Sequence, residues 1–105
     1  MTAQGSAHRK TLDSIRESAH SVTGGAFGDS LWVSADLELT SVSFILWFET
    51  DDELGNSLAN GQQESVRRAL TTVANDVAGA KAEVAFHSRQ SVKDQFDGDV
   101  WRYLR

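Results

Sequence analysis

From Leu31 to Glu49 every second residue is apolar, with a single break at Thr40-Ser41, and the intervening set is mixed. Leu31, Val33, Ala35, Leu37 and Leu39 alternate with Trp32, Ser34, Asp36 and Glu38. Beyond Thr40-Ser41 the pattern resumes, with Val42, Phe44, Leu46 and Phe48 in one set and Ser43, Ile45, Trp47 and Glu49 in the other. Successive side chains of a strand point to opposite faces, so the pattern predicts two strands with one shared apolar face. If Thr40-Ser41 is a two-residue turn, antiparallel pairing sets Leu39 opposite Val42, Leu37 opposite Phe44, Ala35 opposite Leu46 and Val33 opposite Phe48. A slip of one residue would put one apolar set in water, so the parity of the pairing is fixed. Thr-Ser is a poor type I′ turn, and a longer loop of the same parity satisfies the pattern as well.

On either side the period changes to that of a helix. Met1 to Ala7 is small and polar and reads as a loose terminus, after which Leu12, Ile15, Ala19 and Val22 form one helical stripe that Thr23-Gly24-Gly25 ends. Thr50 to Gly61 reads as a loop. Asn60 is placed to cap a second helix, with Gln63 in the position of a capping box; Val66, Ala69, Leu70, Val73, Ala74 and Val77 form its stripe and Gly79 closes it. Ala82 to Ser88 alternates again and predicts a third strand. Ser91 to Phe96 fits one helical turn capped by Ser91, Asp97-Gly98-Asp99 a tight turn, and Val100 to Leu104 a short final strand. The order α-β-β-α-β-(short α)-β predicts an α+β fold. It is a two-layer sandwich with a mainly antiparallel sheet of three to four strands and two helices on its apolar face.

At 105 residues the chain has room for one domain, residues 1–105, and one core. It holds no cysteine, which excludes disulfides, thiolate metal sites and cysteine nucleophiles. The first thirty residues hold no apolar run behind basic residues, and the longest apolar run, Phe44 to Phe48, is far too short to span a bilayer. The expectation is a cytoplasmic protein without a membrane partner.

Charge singles out the same central stretch. No Lys or Arg occurs from Ser18 to Val66, whereas eight carboxylates do, against a net charge of −5 for the whole chain. That balance argues against nucleic acid, whose sequence-independent binding needs basic residues, and favours a basic protein partner.

Candidate chemistry is sparse. Asp36, Glu38, Glu49, Asp51, Asp52 and Glu53 are hard oxygen donors, but Asp51-Asp52-Glu53 lacks the spacing of a Ca²⁺ loop, so a solvated acidic face is expected rather than a metal site or an acid–base pair. His8, His20 and His87 show no ligand spacing, and no G-x-S-x-G elbow is present. Arg67, Arg68, Lys81, Arg89, Lys93, Arg102 and Arg105 suggest at most a modest phosphate patch. The Gly24 to Gly28 run follows a helix and precedes a strand, the reverse of a phosphate loop.

The expected reading is a non-enzymatic protein without cofactor, a bacterial immunity protein or antitoxin that inhibits a toxin such as a nuclease. Trp32 and Trp47 act as its anchors, and Asp36, Glu38, Glu49, Asp51, Asp52 and Glu53 meet the basic partner. One alternative is a self-associating structural or secretion-chaperone-like protein using the same face as a homodimer interface. The other is a small metal-dependent enzyme built on the carboxylates. A third arrangement of the same residues is purely structural, with Trp101 and Tyr103 folding back to cover the tryptophans.

Overall fold

In the computed structural model, which describes residues 3–25 and 27–104, the central element is the strand β2 (Ser41–Phe48), flanked by β1 (Leu31–Ala35) and β3 (Lys81–Ser88). The fold is α+β, and the described residues form a three-stranded mixed sheet and five helices: α1 (Ala3–Val22), α2 (Asp51–Ala59), α3 (Gln62–Ala78), α4 (Arg89–Phe96) and α5 (Val100–Tyr103). A turn of 3₁₀ helix, Gly28–Ser30, leads into β1. The expected apolar faces supply most of the observed core, though Leu37, Val22 and Val77 are exposed instead. Ile15 and Ala19 of α1 and Leu70, Val73 and Ala74 of α3 close over Leu31, Val33, Val42, Phe44 and Leu46 of the sheet.

Several expectations need correction. First, β1 and β2 are antiparallel as predicted, but β3 runs parallel to β2, with Ser41 beside Lys81 and Phe48 beside Ser88. The reason is length: the 17 residues of α3 rise about 25 Å, and an eight-residue strand spans about 26 Å. One pass down α3 therefore returns the chain to the end where β2 began.

Second, the hairpin turn is longer than Thr40-Ser41. Val33 pairs with Phe44 and Ala35 with Val42, which preserves the predicted parity but releases Leu37 and Leu39 from the sheet. Asp36 organises the loop: its Oδ1 accepts the amides of Thr40 at 2.8 Å and Ser41 at 3.1 Å, and its Oδ2 accepts the Thr40 hydroxyl. Leu39 takes a left-handed φ of 56°, and Leu37 is 70% exposed.

Third, the acidic stretch after β2 is the helix α2, capped by Thr50 Oγ1, which accepts the Glu53 amide at 3.1 Å. Three acidic residues in its first turn favour the positive end of the helix dipole. Fourth, α3 begins after Gly61, and Asn60 Oδ1 accepts the Gln62 amide at 2.9 Å. Gln63 does not complete a capping box; it is buried and donates to Leu54 O at 3.1 Å and Ser57 Oγ at 2.9 Å, fastening α2 to α3. Fifth, the sheet has no fourth strand among the described residues. Val100–Tyr103 is the helix α5, started by Asp99, whose carboxylate accepts the Arg102 amide at 3.1 Å.

At the termini, α1 already begins at Ala3, ahead of the expected start, while Met1 and Thr2 lie outside the described residues. α4 begins at Arg89 with Ser88 as its cap, rather than at Ser91. No helix among the described residues is long and apolar enough to cross a membrane.

Candidate functional site

On the face of the sheet away from α1 and α3, period-two alternation brings Trp32 and Trp47 together, with ring centroids 5.1 Å apart and nearly edge to face. The C-terminal segment reaches this face because Ser88 caps α4, Asp97 adopts a left-handed φ of 52° at its end, and Asp99 starts α5 in the reversed direction. Tyr103 then packs 6.2 Å from Trp47, and its hydroxyl lies 2.9 Å from His87 Nδ1. His87 itself stacks on Trp47 at 5.3 Å, and burial pushes its pKa below the ordinary value for an imidazole. Trp47 is left 3% exposed, and its indole N–H has no acceptor among the described residues.

Trp101 behaves differently. It is tilted against Trp32 at 6.2 Å yet remains 71% exposed. The C-terminal segment therefore covers one of the two predicted anchors, Trp47, and adds a third indole that faces solvent.

The predicted carboxylates do not form one patch. Asp36 and Glu38 lie in the loop before β2, and Glu49, Asp51, Asp52 and Glu53 lie beyond its other end, about 26 Å away along an eight-residue strand. Asp36 is engaged by its own loop. The hydrogen bond from the Thr40 hydroxyl, then that from the Ser41 amide, hold its pKa below the usual carboxylate value. Asp51 accepts the hydroxyls of Ser88 and of Ser91, the latter at 2.6 Å, and these bonds lower its pKa in the same way. Glu49 pairs with Arg89 at 3.4 Å, and Glu53 Oε2 accepts the Glu49 amide at 3.2 Å. Glu38 and Asp52 are exposed.

Where β2 ends, a shallow cavity of about 230 Å³ opens between the rings of Phe27, Trp47 and Phe48 and the carboxylates of Glu49 and Glu53. Ser30 and Gln62 complete its wall. A second depression of about 290 Å³ runs over the outer face of β2 and β3 beside Ile45, Ala85, His87 and Leu104.

Sequence reasoning singled out Trp32 and Trp47 but not Phe27, Phe48 or the cation beside them. The basic residues expected to form a modest phosphate patch, Arg89 among them, are dispersed over separate partners in the structure. Arg67 and Arg68 pair with Glu64 at 3.7 and 3.3 Å, Arg102 lies over Phe96, and Arg105 lies outside the described residues. Among the described residues, no three His, Asp or Glu side chains are grouped so as to hold a metal ion. Compared with protein-family models, curated proteins and solved structures, the chain matches none.

Proposed function

We propose that this chain is a non-enzymatic binding protein that docks on a basic protein partner, in the manner of an immunity protein or antitoxin acting on a nuclease toxin. The observation that carries this reading is the Trp101 indole, 71% exposed and backed by Trp32. A solvent-facing tryptophan held by a second indole has little side-chain freedom left to lose, which is the property of an interface anchor. Carboxylates at both ends of β2 supply the long-range attraction that orients and speeds the approach of a basic surface.

The test uses the tagged chain and its Trp101→Ala variant in the native host, with cross-linking and mass spectrometry of what each retains. The expected result is a basic protein enriched by the parent chain about tenfold or more over the variant, with an association rate that falls as salt rises. Equal recovery by both chains would sink the reading. Self-association through the same indoles is the rival, and sedimentation separates it: a concentration-dependent dimer that Trp101→Ala abolishes would replace the outside partner.

A further inference from the structure

The crevice at the carboxyl ends of parallel strands is where ligands of α/β proteins commonly bind, and helix N-termini there usually make it a site for anions. β2 and β3 both end at such a place, with α2 and α4 starting beside them. Here the chain has filled the anion positions itself. Gln90 Oε1 accepts the Asp51 amide at 2.9 Å, Thr50 Oγ1 accepts that of Glu53, Ser88 Oγ accepts that of Ser91 at 3.0 Å, and the Asp51 carboxylate takes both serine hydroxyls. A phosphate arriving at this end would meet Glu49, Asp51, Asp52 and Glu53 instead of free amides.

What the adjoining cavity does offer is three aromatic rings and two carboxylates, which suits an organic cation. The chain displays that chemistry with one of its own groups. The Arg89 guanidinium lies 5.9 Å over the Trp47 ring, its Nε is 3.4 Å from Glu49 Oε1, and its Nη2 donates to Ser30 Oγ at 3.2 Å. All three partners line the cavity, and its remaining wall presents Phe27, Phe48 and the second carboxylate oxygen of Glu53, whose Oε2 accepts the Glu49 amide. About 230 Å³ is below the roughly 300–1,000 Å³ of pockets for drug-sized ligands and fits one side-chain head group.

We propose that this cavity is a receptor for one guanidinium group, supplied in the complex by an arginine side chain of the partner. The choice of a partner arginine rests on the basic-partner reading above; the cation chemistry of the cavity does not. Arg89 shares Glu49 with the incoming group, so it limits affinity while it neutralises the site.

The experiment is titration of the full chain with L-argininamide, followed by amide and indole resonances. Saturable shifts at Phe27, Phe48 and Glu53 are expected, with a dissociation constant of roughly 1–10 mM. Arg89→Ala should tighten binding about threefold by freeing Glu49, whereas Glu53→Gln should weaken it about as much, and Glu49→Gln serves as a second test of the carboxylate requirement. Inorganic phosphate should give no saturable shift at these residues. Absence of saturation, saturation by phosphate, or indifference to both carboxylate variants would overturn the proposal. If Glu53→Gln loses argininamide but captures the basic partner as well as the parent does, the partner arginine is overturned and the docking reading stands. If argininamide binds as expected and no basic protein is captured, the docking reading fails while the cation site stands.

Discussion

Asp51, the first residue of α2, accepts the hydroxyl of Ser88, the fully buried cap of α4, and so ties together two helices that start at the same end of the sheet. The bond stabilises the charged form of Asp51, whose pKa is lowered chiefly by Ser88 and then by Ser91. A folded-state pKa below the unfolded one means that the unfolded chain binds the proton first. The stability from this group is complete above about pH 4 and is lost as pH falls through the lowered value. Urea midpoints of the parent chain measured from pH 5 down to pH 2 are therefore expected to fall more steeply than those of Asp51→Asn. Asp36 is lowered in the same direction, so the acid slope should flatten further in the Asp36→Asn, Asp51→Asn double variant.

His87 links β3 to α5 through Tyr103. Its ring is stacked on Trp47 and lies within hydrogen-bond distance of the Tyr103 hydroxyl, and burial lowers its pKa by opposing the charged form. The neutral ring is favoured in the fold, so its contribution is whole above about pH 6.5 and is lost as pH falls through the lowered folded value. Melting temperature should decline over that window in the parent chain and be flatter in His87→Gln, which cannot titrate. Tryptophan fluorescence should report the same midpoint, since Trp47 lies against the ring; an identical pH profile in the variant would remove His87 from the account.

Trp47 and Trp101 belong to one aromatic cluster but should part in their energetics. Truncating Trp47, which is 3% exposed, to alanine is expected to cost about 3–5 kcal/mol by leaving a large cavity. Trp101→Ala removes an indole that is 71% exposed and should stay within about 0.5 kcal/mol of the parent. Chemical denaturation of both variants gives the comparison. It also qualifies Trp101→Ala as a binding probe, because a folded variant that loses its partner cannot be explained by instability.

Parity of the alternation between Leu31 and Phe48 made the inner face and the Trp32–Trp47 pair legible, since every register of the same parity assigns the same faces. Strand direction was not encoded in that pattern. It followed from the length of α3, a quantity available in the helical stripe and its flanking glycines. α2 was hidden because Gly55, Asn56 and Ser57 are poor helix formers, and its stability comes from the Thr50 cap, the dipole and the Ser57–Gln63 bond. Over the five residues of Val100 to Leu104, alternation cannot separate a strand from a single helical turn, and the Asp99 cap decided for the helix. Arg89 was invisible as a site residue because its partners Ser30, Trp47 and Glu49 come from other elements and meet only through the β1–β2–β3 order.

The buried link between α2 and α3 gives a further expectation. Gln63 is 8% exposed and donates to both Leu54 O and Ser57 Oγ, while Ser57 itself donates to Leu54 O at 2.6 Å. Gln63→Ala removes two hydrogen bonds, one of them to the half-buried Leu54 carbonyl, at a cost of about 1–3 kcal/mol. Hydrogen exchange should show the loss concentrated in α2. Uniform loosening of the sheet instead would mean that α2 is not held by this residue.

Leu37 and Phe44 would face each other across the hairpin if Thr40-Ser41 were the turn, and in that arrangement both would be core. The observed pairing puts Val33 opposite Phe44 and lifts Leu37 into the loop organised by Asp36. The two registers share a parity and differ in energetics. Leu37→Ser is expected to change stability by no more than about 0.5 kcal/mol, because the side chain is already 70% exposed. Phe44→Ala is expected to cost about 3–5 kcal/mol, because the ring is completely buried between α1, α3 and the sheet. Asp36→Ala adds an independent check, since it strips the loop amides of Thr40 and Ser41 of their acceptor and should destabilise the hairpin without touching the core. Urea unfolding of the three variants discriminates the registers: a loss of more than about 2 kcal/mol for Leu37→Ser would return Leu37 to the sheet and restore the two-residue turn.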